Sequence, residues 1–206
     1  YNGCCGASEL IKLTSYRLTQ YNWVVHMDAD TFLNQPIDEL FFDDDSPRGH
    51  LSLAYTTDPN MATHKGEDSM PAQGGFLLIK PSELDFRGII RTLMTTEFKN
   101  GGGWAGSHIG WFWGGMTVQG ILPYYYNRIS LDPDTPGKTR RKIIDRCVYN
   151  TMADTEECQK KKLSDVRSAH FTICQKPWTC IKWGGSRGIC EMPMCNPLCK
   201  ELHEEW

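Results

Sequence analysis

The sequence has no long hydrophobic run. No stretch approaches the ~20 apolar residues that a membrane-spanning helix needs, so a membrane anchor is expected only from chain upstream of residue 1. Basic charge is not in excess either. Lys and Arg number 22 against 25 Asp and Glu, a net charge of -3, which argues against a nucleic-acid partner. The glycine-rich stretch from Gly101 to Gly120 holds neither lysine nor arginine, and this excludes a phosphate-cradling G-x-x-x-x-G-K-[ST] loop. No C-x2-C pair occurs, which ranks a zinc site built on Cys195, Cys199 and His203 below disulfides. Position 1 is Tyr, and no signal or transit peptide follows, so the N-terminus is expected to be a cut.

What is present is an ordinary globular composition, 40% apolar and 23% charged over 206 residues, enough for one domain or a little more. Cysteine is the exception. Five of the nine, Cys174, Cys180, Cys190, Cys195 and Cys199, fall within 26 residues. Such clustering predicts a disulfide-stapled tail in an oxidising compartment. An odd total leaves at least one thiol free or paired outside this chain.

The organising stretch is Trp23-Val24-Val25-His26-Met27-Asp28-Ala29-Asp30-Thr31. Its apolar, partly β-branched start reads as a short buried strand. Asp28 and Asp30 follow at its carboxyl end. In extended backbone, residues i and i+2 point the same way. Two like charges facing one side are tolerated most easily with a cation between them, and ligands of open α/β sheets bind at such strand ends.

Residues 8–21 are expected to be helical, with Ser8 as N-cap and Ile11, Leu18 and Tyr21 on one face, with Leu10 and Leu13 alongside. On spacing alone Lys12 is a solvated lysine. Ile37 to Phe41 reads as a short helical piece and Asp43-Asp44-Asp45 as a solvated loop. His50 to Thr56 predicts a strand with Leu51, Leu53 and Tyr55 alternating. Asp58 to Pro71 reads as a mobile loop, and Gln73-Gly74-Gly75 as a tight turn or close approach before a buried Phe76–Ile79 strand. Residues 82–98 predict a helix capped by Ser82, with Asp85 as the capping-box acid and a core face of Phe86, Ile89, Ile90, Leu93 and Met94. Gly101 to Gly120 combines eight glycines with Trp104, Trp111, Phe112 and Trp113. Flat aromatic faces suit sugar rings, although tryptophans filling the core explain the same composition. Residues 132–165 read as a polar excursion whose basic runs, 138–142 and 160–162, are solvated. His170 alone would be a satisfied structural histidine.

These pieces, in this order, resemble glycosyltransferase family 8, the glycogenin-like and galactinol-synthase-like retaining enzymes with a GT-A fold. The resemblance rests on Lys12-Leu13 with Leu18 to Tyr21, Met27-Asp28-Ala29-Asp30-Thr31, Ile37 to Phe41, Gln73-Gly74-Gly75-Phe76 with Pro81-Ser82, Gln119 to Pro123 with Tyr126-Asn127, and His170-Phe171 with Lys176-Pro177-Trp178. It implies an α/β fold with a mixed central sheet and flanking helices, lacking part of the N-terminal nucleotide-binding half. Residues 1–178 would be the transferase domain and 179–206 a Cys-rich tail.

The resemblance also implies roles. Asp28, Asp30 and His170 would hold one divalent cation. Two carboxylates and an imidazole favour Mn2+, with Mg2+ as second choice. Lys176 would add positive charge at the diphosphate of a nucleotide-sugar donor, expected to be a UDP-sugar. Lys12, Ala29, Gln73 and Gly74 would lie beside the donor. The family's acids in the glycine-rich loop align with Ala105 and with His108, so Gln73 and His108 are the catalytic candidates. The acceptor, whether carbohydrate, protein or lipid, is left open. The expected compartment is the Golgi or secretory lumen, with cytoplasm as the alternative. A second reading is an inactive family member that binds sugar or nucleotide, or serves as a scaffold.

Overall fold

The structure, a computed structural model, describes residues 6–41, 51–62, 66, 69–131, 139–172, 176–179 and 196–206. The expectations for Asp43 to Asp45, His50, Lys138, Cys174, Cys180, Cys190 and Cys195 lie outside these residues. Contacts divide the chain into two compact units: Tyr1–His26 with Asp44–Ile144, and Met27–Asp43 with Asp145–Trp206. Among the described residues no helix is long and apolar enough to cross a membrane.

The first unit is built on a four-stranded sheet in the order β1-β4-β3-β7. Strand β1 is Val24–Met27, β3 is Leu53–Thr57, β4 is Ala72–Ile79 and β7 is Arg141–Ile143. The sheet is mixed, because β3 runs antiparallel to β4 and parallel to β7. All eight residues of β4 are buried, as expected of a strand covered on both faces. The β3–β4 register steps from Tyr55↔Leu77 to Thr56↔Gln73, so β4 spends three residues, Gly74, Gly75 and Phe76, where β3 spends none. Gln73-Gly74-Gly75 is therefore a bulge inside the strand, not a turn before it.

Five expectations need correction here. The first helix is a 3-10 helix, Gly6–Arg17. With three residues per turn, Leu10, Leu13 and Tyr16 share the inward face, while Ile11, Leu18 and Tyr21 are exposed. Strand β3 is buried at consecutive residues, not alternate ones, as a strand covered on both faces is. Helix α1 is Glu83–Thr95, capped by the Ser82 hydroxyl, which accepts from the Asp85 amide at 3.1 Å. Asp85 closes no capping box. Its buried carboxylate takes a two-pronged contact from Arg140, 2.9 Å on each oxygen, and a hydrogen bond from Tyr125. Met94, in the last turn of α1, is exposed. The basic run at 139–142 is not an outlying solvated face, since Arg140 is anchored to Asp85 and Arg141–Lys142 lie in the sheet. By contrast, Lys160 is exposed and pairs with Glu156 on its own helix.

A hairpin follows α1, with β5 (Phe98–Lys99) antiparallel to β6 (Gly103–Trp104). Then comes α2, Val118–Tyr124, continued by a π-helical turn, Tyr125–Ile129. Between them Trp104 is buried and its indole N–H donates to the Gly115 carbonyl at 2.9 Å. A Cβ on Gly115 would fall 1.6 Å from the Gly110 oxygen, so this glycine serves backbone-on-backbone packing of the loop itself.

The second unit pairs β2 (Thr31–Leu33) antiparallel with β8 (Ser168–His170). It adds 3-10 turns at Asp38–Leu40, Leu163–Asp165 and Pro177–Thr179, and helices α3 (Glu156–Gln159) and α4 (Pro197–Glu205). Asn196 caps α4 with its side chain accepting from the Cys199 amide at 3.0 Å, and Pro197 fills the first turn. The core joins Ala169 and Phe171 to Leu198, Cys199 and Leu202. Cys199 is disulfide-bonded, which removes it as a zinc thiolate.

Within the polar excursion a disulfide joins Cys147 to Cys158, both buried. The segment it anchors lies against β8: Thr151 bridges Ala169, and the His170 amide donates to the Thr151 carbonyl at 2.8 Å. Closing a loop of 11 residues' separation stabilises by about 3 kcal/mol in the chain-entropy account. The variant Cys147→Ala/Cys158→Ala is expected to lose about 2–3 kcal/mol in urea unfolding; an unchanged midpoint would contradict this anchoring.

Candidate metal centre

The two aspartates reach the site by a turn rather than by strand alternation. Strand β1 ends at Met27, and the Thr31 amide donates to the Asp28 carbonyl at 2.9 Å. Asp28 to Thr31 is thus a tight turn with exposed Ala29 near its apex. This corrects the extended-backbone expectation, while the convergence of the carboxylates is retained. From Thr31 the chain enters β2, where Thr31 lies opposite His170. The Phe171 amide donates to the Asp30 carbonyl at 2.9 Å. These backbone bonds bring an imidazole 140 residues distant in sequence against the turn.

His170 is 5% exposed and Asp28 and Asp30 are half-buried. Nε2 of His170 lies 3.3 Å from Oδ1 of Asp30 and 4.0 Å from Oδ2 of Asp28. One ligand atom from each of the three falls within 4.8 Å of the others, and among the described residues no other group of three His, Cys, Asp or Glu does this. Lys176 Nζ contacts Oδ2 of Asp30. The hydrogen bond from His170 holds the Asp30 carboxyl well below the usual carboxylate range; burial opposes this and Lys176 reinforces it. Asp30 is therefore an anion throughout the neutral range.

The donor set suits a divalent cation. Two carboxylates supply hard oxygen and negative charge, the imidazole supplies nitrogen, and three protein ligands leave coordination positions for a substrate. Nδ1 of His170 is buried with no hydrogen-bond partner among the described residues, while Nε2 faces the acids. Thr172, which sequence reasoning missed, places its hydroxyl 2.7 Å from the same Nε2. Nothing in the spacing marked it, apart from its place two residues after His170.

The other expected donor residues belong to the first unit. Lys12 is buried rather than solvated. Its ammonium pairs with Glu9 at 2.8 Å and donates to the Gly74 carbonyl at 3.2 Å. A Cβ on Gly74 would lie 3.2 Å from that ammonium and 3.3 Å from Val118, so Lys12 and the bulge are fitted to each other. Gln73 is buried, with its side-chain oxygen accepting from the Gly75 amide at 2.6 Å. Lys12, Gln73 and Gly74 thus form one group. Glu9 was not foreseen as part of it, although its i, i+3 spacing from Lys12 was readable. His108 is exposed, has φ of 64° and lies 6.1 Å ring to ring from Trp111; Ala105 has φ of 49°. Two side-chain-bearing residues in left-handed backbone mark the loop as locally strained.

No protein-family model matches the sequence, and no curated protein matches it. Solved structures do. A WbbM bifunctional glycosyltransferase in its apo form is similar at 17% identity and a TM-score of 0.50, over 83% of this chain and 32% of that one. Mouse xyloside xylosyltransferase 1, also apo, is similar at 11% identity and 0.48, over 86% and 68%. A glycosyltransferase involved in glycosylation of the major capsid of PBCV-1 is similar at 14% identity and 0.46, over 81% and 74%. The chain spans about a third of the length of the first. That first likeness carries the fold assignment: the chain has the mixed-sheet α/β fold of a glycosyltransferase.

Proposed function

We propose that the chain is part of a metal-dependent retaining glycosyltransferase similar to family 8, moving a hexose from a UDP-sugar to an acceptor hydroxyl. One observation carries the reading: Asp28, Asp30 and His170 converge on a common point in a chain with a glycosyltransferase fold. Mn2+ fits the mixed oxygen and nitrogen ligands best, with Mg2+ second. A cation bound there supplies charge that stabilises the departing diphosphate.

The chain's own residues do the rest. Asp28, Asp30 and His170 would hold that cation. Lys176 leaves Asp30 to place its ammonium on the diphosphate, a charge-assisted contact that strengthens as the leaving group gains charge. Ala29 gives room beside the nucleotide. In the reaction the bond from the anomeric carbon to the diphosphate oxygen breaks. A bond from the same carbon to the acceptor oxygen forms on the same face, and the acceptor proton passes to the leaving diphosphate. No protein carboxylate serves as nucleophile in this scheme. The buried Cys147–Cys158 disulfide favours a secretory or Golgi compartment.

A second reading has its own support. The positions that align with the family's loop acids are Ala105 and His108, and neither carries a carboxylate. A protein that binds the nucleotide without turning it over fits that observation. A panel of UDP-sugars with Mn2+, tested on the full-length protein for UDP release, separates the two. Release that chelator abolishes supports the transferase. UDP binding with no release from any donor supports the binding protein, and neither binding nor release overturns both.

A further inference from the structure

Helix α4 carries one stripe of side chains at Leu198, Cys199, Leu202 and His203, continued by its C-cap Trp206, the i, i+4 spacing of a single helix face. The stripe backs the strand that presents His170. Ala169 and Phe171, the neighbours of His170, pack on Leu198, Cys199 and Leu202, and the His203 ring lies 4.9 Å from Phe171. Farther along, Trp206 meets Trp178 at 6.4 Å between ring centres and 58° between planes. Both rings are half out in solvent, at 49% and 46% exposure.

Trp178 stands two residues after Lys176, with buried Pro177 between them. Proline fixes its own φ and restricts the residue before it. Lys176-Pro177-Trp178 is therefore a stiff link, and holding the indole of Trp178 holds the backbone from which the Lys176 ammonium reaches Asp30. We propose that Trp206 is a positioning residue: by packing on Trp178 through this proline link, it aims Lys176 at the diphosphate of the nucleotide donor. The inference rests on the reading of Lys176 as a diphosphate contact. It assigns a role in donor binding to a helix that the sequence motifs leave outside the transferase region.

The test is calorimetry on the full-length protein, with Mn2+ alone and then with UDP at saturating Mn2+, for wild type, Trp206→Ala, Trp206→Leu, Trp206→Phe and Lys176→Met. Loss of the ring contact is expected to weaken UDP roughly three- to tenfold in Trp206→Ala and Trp206→Leu, the span of an aromatic pair. Trp206→Phe is expected to recover most of it, and Mn2+ affinity in the absence of UDP is expected to stay at the wild-type value. The leucine variant keeps apolar bulk and carries the test if the alanine variant does not fold. Lys176→Met weakened for UDP alongside Trp206 variants that bind UDP like wild type would overturn the positioning role. Equal losses of Mn2+ and UDP affinity in the Trp206 variants would overturn it as well, since they indicate a general structural effect. Lys176→Met with wild-type UDP affinity would instead overturn the donor reading of Lys176 beneath it.

Discussion

Asp30→Ala is expected to lower Mn2+ affinity by at least about 100-fold, since loss of a mere outer partner of a metal ligand costs about 10–100-fold. Asp30 is the hub of the site: His170 approaches one of its oxygens and Lys176 the other. Its removal takes away a ligand and strands two cationic or potentially cationic groups together. Manganese-dependent release of UDP is expected to fall to background in the same variant and in His170→Ala. Wild-type affinity in either would remove the metal assignment. The same carboxylate has a pH signature. Its folded pKa lies below the ordinary 3.8. The ionised form therefore stabilises the native state above that value, and this contribution is lost as pH falls below it through the folded pKa. Asp30→Asn is expected to flatten that acid limb of the stability curve while leaving the neutral-pH slope unchanged.

Asp85→Ala is expected to cost roughly 3–5 kcal/mol of stability, the penalty for breaking a buried ion pair on one side. The Asp85 carboxylate is almost wholly buried and accepts from both terminal nitrogens of Arg140 and from the Tyr125 hydroxyl. Without it a guanidinium beside the sheet loses its counter-charge next to Tyr126, whose ring lies 6.0 Å from it. The pair ties α1 to the residue just before β7, so the loss is expected throughout the first unit. Asp85→Leu combined with Arg140→Met is expected to recover most of the stability, because apolar groups of similar volume replace buried ion pairs at little or no cost. Urea unfolding followed by tryptophan fluorescence reads both. A loss below about 1 kcal/mol in the single variant would put Asp85 in the class of solvent-screened surface pairs.

How far the sequence could be read follows from the range of each signal. The Asp28–Asp30 pair and His170 were legible because their chemistry is rare and their order matched a known pattern. The strand Phe76–Ile79 and the helix at 83–95 were legible because burial and 3.6-residue spacing act locally. Lys12 was misread on spacing because its helix turns every three residues, which moves Leu10, Leu13 and Tyr16 inward and takes Lys12 to Gly74. Asp85 was misread because a capping-box acid and a buried counter-ion look alike until Arg140, 55 residues away, is placed beside it. Thr172 carried no signal beyond its place two residues after His170, whose Nε2 its hydroxyl meets. The Cys147–Cys158 bond carried none, because the pairing of the two thiols is set by the tertiary fold.

Pulsed EPR on the full-length protein loaded with one equivalent of Mn2+ addresses the ligand set itself. Coordination by Asp28, Asp30 and Nε2 of His170 predicts nitrogen hyperfine coupling from a single imidazole, lost in His170→Ala. Bound Mn2+ with no imidazole coupling, or with a coupling that His170→Ala leaves intact, would contradict the shared metal centre on which the account stands.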